Sequence, residues 1–103
     1  MTIQAVTTWQ GTPAGLMLLA EGSKLSAPIH ESFGAKNPKL WRASVGGDVE
    51  QAHYSIEFDN QEGYGKFMDL MLASEWWSGT QQWMEDNKEA ITNLGTAVYY
   101  SAI

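Results

Sequence analysis

The chain contains no cysteine. That excludes a disulfide framework, a thiolate nucleophile and any cysteine-based metal site. Positive charge is scarce: six Lys and Arg stand against twelve Asp and Glu, for a net charge of −6. Arg42 is the single guanidinium. Six scattered cations do not form the basic patch that displaces counterions from a nucleic acid, and they give an anionic membrane surface little to hold. The longest apolar run, Leu16 to Ala20, is far too short to span a bilayer. The opening "MTIQAVTTW" lacks the basic and apolar segments of a secretion signal. A cytoplasmic protein with neither a nucleic-acid nor a membrane partner is the expectation. With two histidines, and no His-x3-His or His-x-His pair, no metal site is expected. "GGD" lies between two strand-like runs rather than before a helix, so it is no phosphate loop.

What is present is apolar and aromatic surface. Hydrophobic residues make up 44% and aromatic residues 12% of 103 positions, while charged residues reach only 17%. One domain of this length holds a single core. A charge-poor surface implies that part of it is covered by a partner, most simply a second copy of the chain.

The residue pattern predicts a β-α-β-β-α-β order. Ile3, Ala5, Thr7 and Trp9 alternate with Gln4, Val6 and Thr8, as in a strand. Thr12 and Pro13 read as the N-cap and first residue of a helix running towards Phe33. Its predicted apolar row is Leu18, Gly22, Leu25, Ile29 and Phe33, with Pro28 kinking or dividing it near Ser26 and a stop at Gly34. Leu40 to Val45 and Val49 to Phe58 read as a hairpin about "GGD". Asp59, with Glu62 three residues on, predicts a capping box for a helix striped by Tyr64, Phe67, Met68, Met71 and Leu72. Ser74 predicts a fresh helix start in "EWWSGTQQWMEDN", and "TNLGTAVYYSAI" a closing strand.

This order is that of a ferredoxin-like α+β domain over residues 1–103, an antiparallel sheet with two helices on one face. Trp41, Ala43 and Val45 fall on one side of their strand and Leu40 on the other, and adjacent Tyr99 and Tyr100 point to opposite faces. Both sheet faces are therefore apolar, and the one away from the helices is expected to meet another subunit. An RNA-recognition motif is excluded, since "EQAHYSIEF" carries no Lys or Arg. Metal carriers of this layout need cysteines. Acylphosphatase-like chemistry needs an arginine in a phosphate-cradling loop, whereas Arg42 falls in a strand.

The run "YSIEFDNQEGYGKFMDLMLASEWWSGTQQW" resembles the dimeric α+β barrel superfamily, especially its NIPSNAP-like and antibiotic-biosynthesis-monooxygenase-like members. Glu57, Phe58, Asp59, Tyr64, Phe67, Ser74, Glu75 and Trp76 carry the likeness, and "SFGAKNPKLWRA" is similar to the helix end and second strand of that group. The resemblance implies a homodimeric barrel of two facing sheets, with a mostly apolar cavity between sheet and helices in each subunit. It implies either a binder of a small hydrophobic or aromatic molecule, a cofactor-independent monooxygenase, cyclase or isomerase, or a non-catalytic structural or stress-related dimer. Such a fold hosts many chemistries and does not choose among them. Haem-binding relatives carry a proximal histidine on the second helix, and residues 61–86 contain none; no cofactor is expected.

For a catalytic reading, the candidates are His53, as base or ligand anchor, and Arg42, as the grip on a carboxylate or enolate oxygen. Their structural alternatives are a hydrogen-bonded histidine in the sheet and an arginine paired with Glu57 or another acid. His30 is expected to be an exposed histidine at a helix C-terminus. For ligand contact the candidates are Trp76, Trp83, Tyr54 and Tyr100, with core or interface packing as the competing role. Trp76 and Trp77 lie about 100° apart on a helix. Trp76 and Trp83 are therefore expected to close one end of the core or cavity, and Trp77 to be partly exposed or to face a subunit boundary.

Overall fold

Alternation along the first strand sets the layering. In the computed structural model, which describes residues 1–103, β1 (Ile3–Gly11) buries Ile3, Ala5 and Trp9 and leaves Gln4, Val6 and Thr8 half-buried on the other side. Three further strands complete one antiparallel sheet: β2 (Lys36–Arg42), β3 (Gln51–Phe58) and β4 (Ile91–Tyr100), in the order β2-β3-β1-β4. Helices α1 (Pro13–Ser32), α2 (Gln61–Leu72) and α3 (Glu75–Asp86) supply the other layer. The expected ferredoxin-like order is present, with the second helical unit divided in two.

The helix signals were mostly local and mostly correct. Thr12 Oγ1 accepts the Gly15 amide at 3.1 Å, and Pro13 follows at the first helical position. At the far end Gly34, with φ +103°, lets the Gly34 amide reach Glu31 O and the Ala35 amide reach His30 O, both at 3.0 Å. That double closure is a Schellman motif. Of the two outcomes expected at Pro28, division does not occur, since α1 runs unbroken through it. One missing i→i−4 bond is tolerated in twenty residues whose ends are both locked. The predicted apolar row turns inward only in part: Phe33 packs on the core and Gly22 borders the space between sheet and helices, but the fully buried residues of α1 are Gly15, Leu16, Leu19 and His30, while Leu18 and Leu25 are exposed.

Two boundaries differ from the sequence reading. The hairpin loop is longer than "GGD", because β2 ends at Arg42 and β3 begins at Gln51; Gly46 and Gly47 both take positive φ within it. Asn60, not Asp59, caps α2, accepting the Gly63 amide at 2.8 Å, while Asp59 pairs with Lys36. Ser74 caps α3 as expected, accepting the Trp77 amide at 3.2 Å.

The sheet's helix-facing side holds two separate core clusters. Ile3, Ala5, Ala35, Tyr54, Ile56, Phe58 and Phe67 form one, and Trp9, Leu16, Leu19, Ala52 and Ile91 form the other. Only 15 of 103 residues are buried, so two apolar regions need an account: the gap between the clusters and the sheet's open face. On that open face Trp41 is 51% and Tyr99 56% exposed. No helix is long and apolar enough to cross a membrane.

Candidate functional site

The gap between the two core clusters is a cavity of about 610 Å³. Its floor is the sheet: Ala5, Thr7 and Trp9 from β1, Tyr54 and Ile56 from β3, Asn93 and Thr96 from β4. Its roof is the three helices, contributing Leu19, Ser26 and His30, then Tyr64, Phe67 and Met71, then Trp76, Trp77, Trp83 and Met84. No Lys, Arg, Asp or Glu lines it. A concave, largely apolar site with a few polar groups suits an uncharged small molecule.

The break between α2 and α3 places the tryptophans. Ala73 ends one helix and Ser74 starts the next, so α3 begins beside α1. There Trp76 Nε1 donates to Ser26 Oγ at 2.9 Å. Trp83, two turns on, meets Trp9 edge to face at 6.1 Å. Trp77 is half-buried. Its ring lies 6.2 Å from that of Trp76 and also lines the cavity. Two large rings set 100° apart can straddle one groove even though they cannot share one stripe.

His30 overturns the sequence reading most clearly. It is not an exposed cap residue but 5% exposed, packed against the rings of Tyr54, Phe67 and Trp76. Its Nδ1 lies 2.7 Å from the Tyr54 hydroxyl. Burial lowers the imidazole pKa from 6.5 to about 4, so the ring is neutral at pH 7. Burial first, and the Glu31 carboxylate second, raise that of the Tyr54 phenol. The cavity therefore holds an uncharged, hydrogen-bonded histidine–tyrosine pair. A sequence signal for it exists: Leu19, Ser23, Ser26 and His30 follow at i, i+4, i+7 and i+11. Its polar members hid it beneath the more apolar row that ran beside it.

Of the other candidates, the structure brings Tyr54, Trp76 and Trp83 together in the cavity and leaves His53, Arg42 and Tyr100 outside it. His53 is opposite Thr8 and Trp41 on the open sheet face, with Nδ1 2.9 Å from Thr8 Oγ1. Arg42, one residue along from Trp41, points to the other face and donates to the Val49 carbonyl at 3.2 Å. It does not pair with Glu57, whose carboxylate accepts from Asn37. Tyr100 is 65% exposed near the end of β4, opposite Ile3. No group of three His, Asp or Glu side chains is arranged to hold a metal ion.

No family model and no curated protein matches the chain. Solved structures do. A dimeric ferredoxin-like protein from an uncultured marine organism superposes with a TM-score of 0.77 at 11% identity, over 99% of this chain and 96% of that one. A candidate antibiotic biosynthesis monooxygenase from Deinococcus radiodurans gives 0.71 at 13%, over 100% and 94%. An uncharacterized NIPSNAP domain protein from Burkholderia xenovorans gives 0.71 at 11%, over 99% and 95%. The chain thus has the ferredoxin-like α+β fold of the antibiotic-biosynthesis-monooxygenase-like and NIPSNAP proteins. At such identities the likeness establishes the fold and leaves the activity to the site.

Proposed function

We propose that this protein binds a small, neutral, hydrophobic or aromatic molecule between its sheet and helices. The supporting observation is the cavity of about 610 Å³ that divides the core and is lined by no charged side chain. A cavity of that size deprives its lining of packing partners, a loss that a bound apolar molecule restores. Trp76, Trp83 and Tyr54 are the ligand-contacting side chains in this reading, joined by Trp77 and Trp9. His53 and Arg42 take no part in it.

The proposed working unit is a homodimer joined through the open sheet faces. Two observations support it: the dimeric ferredoxin-like protein that shares the fold, and Trp41 and Tyr99 half-exposed on the face without helices.

Titration with phenylnaphthylamine, a neutral dye that brightens in apolar sites, tests the ligand reading. Saturable binding is expected to the natural chain. Gly22 lines the cavity on α1, and a Cβ there meets nothing within 4 Å. Gly22→Phe is therefore expected to fill the space without unfolding the helix and to weaken dye binding about tenfold or more. No saturable binding to the natural chain, or equal binding to Gly22→Phe, would refute the reading.

A further inference from the structure

His30 makes one hydrogen bond where an imidazole can make two. Its Nε2 is buried, without a partner, and shut off from water. Buried ring nitrogens are nearly always paired, so an orphan beside a cavity asks what it pairs with. The Tyr54 contact decides which kind of partner fits. If the phenol donates to Nδ1, the only unsatisfied donor left in the pair is Nε2–H. If Nδ1–H donated to the phenol oxygen instead, the phenol proton and the Nε2 lone pair would both be stranded. The first arrangement strands less, and it makes Nε2 a donor. The nearest ring to the imidazole is Trp76, packed edge to face with centroids 4.4 Å apart, its indole N–H donating to Ser26 Oγ on the same helix as His30.

We infer that His30 Nε2–H is the anchor of the cavity: it donates a hydrogen bond to a carbonyl-type oxygen on a flat, uncharged, apolar ligand, which reaches it by displacing the Trp76 ring. This rests on the reading of the cavity as a ligand site, and it adds the polar group such a ligand carries. A carboxylate or phosphate is disfavoured, because no cation lines the walls and burial keeps the imidazole neutral. The surrounding tryptophans favour a planar ring system over a flexible chain.

Fluorene and fluorenone, rigid molecules differing at one carbonyl, separate the two readings by tryptophan quenching. Fluorenone is expected to bind the natural protein about five- to tenfold tighter, the usual worth of one buried hydrogen bond. In the double variant His30→Leu/Tyr54→Phe, which removes both partners together, the two probes are expected to bind within about twofold of each other. Nitrogen NMR of the natural protein supplies a second measurement that needs no variant. The His30 proton is expected on Nε2, and fluorenone is expected to shift that nitrogen more than Nδ1. Fluorene binding with no preference for fluorenone would overturn the anchor and leave the ligand reading standing. A preference that survives the double variant, or a proton found on Nδ1, would overturn the anchor too. Binding of neither probe would overturn the anchor and its flat ligand, and the ligand reading would then stand or fall with the dye titration.

Discussion

His30 and Tyr54, 24 residues apart in sequence, close the helix–sheet interface with 2.7 Å between imidazole Nδ1 and phenol oxygen. A neutral histidine held there makes folding depend on pH. The unfolded chain protonates this histidine at its ordinary 6.5, the folded chain only at about 4. Between those values the unfolded state holds more protons. The contribution is therefore complete above 6.5, falls as the pH drops, and is gone near 4. Its full extent is about 3 kcal/mol. Urea unfolding from pH 7 to pH 4 should show this loss in the natural protein. It should be missing from His30→Leu/Tyr54→Phe, apart from the acid sensitivity of the carboxylates. Parallel pH profiles for the two proteins would contradict the assignment.

Helix glycines separate packing from openness. Gly22 and Gly79 both line the cavity, and a Cβ at either meets nothing. An interior helix glycine without a packing reason lowers stability, so Gly22→Ala and Gly79→Ala should each raise it by about 0.5–1 kcal/mol. Gly15 is the opposite case, because a Cβ there would press into the Ala90 backbone carbonyl. Gly15→Ala should lower stability by about 1–3 kcal/mol. Chemical denaturation of the three variants checks the contrast in sign.

The local signals explain why most of the fold was legible and the site was not. Thr12, Ser74 and Gly34 act on amides within a few residues, so their roles follow from sequence alone. The face α1 turns inward is set elsewhere, by Gly15 lying against Ala90 at the start of β4. A one-residue error in that rotation exchanged Leu18 for Leu19 and hid His30. The same holds for His53 and Arg42. Alternation correctly separated neighbouring side chains, but it did not say which sheet face the helices cover. Tyr54 and Ile56 on the covered face show the answer.

The cavity also predicts an uneven map of core energetics along α2. Phe67 is 3% exposed and packs on His30, Phe33 and Phe58, with ring centroids 5.6, 6.4 and 5.1 Å away. Phe67→Ala leaves a hole among rings that cannot collapse and should destabilise by about 3–5 kcal/mol. Met71, one turn on, borders the same cavity as Phe67 but is only half-buried. Met71→Ala should remove less than about 2 kcal/mol, below the usual range for a fully packed methionine. Equal losses at the two positions, measured by urea denaturation, would mean that the space beside Met71 closes in solution.

The open sheet face carries the last prediction. Val6 is central on β1, paired with Ser55 on one side and Ala97 on the other. It points away from the helices and is half-buried within one chain. If two copies meet there, Val6→Glu places a carboxylate from each copy in a desolvated seam, where neither charge has a partner. Sedimentation should then show a dimer for the natural protein and a monomer for Val6→Glu, with the far-UV spectrum unchanged. On a monomeric sheet the same change would meet water on the exposed side and alter little. A natural chain that sediments as a monomer at micromolar concentration would refute the proposed homodimer. A dimer that survives Val6→Glu would move the contact away from this face.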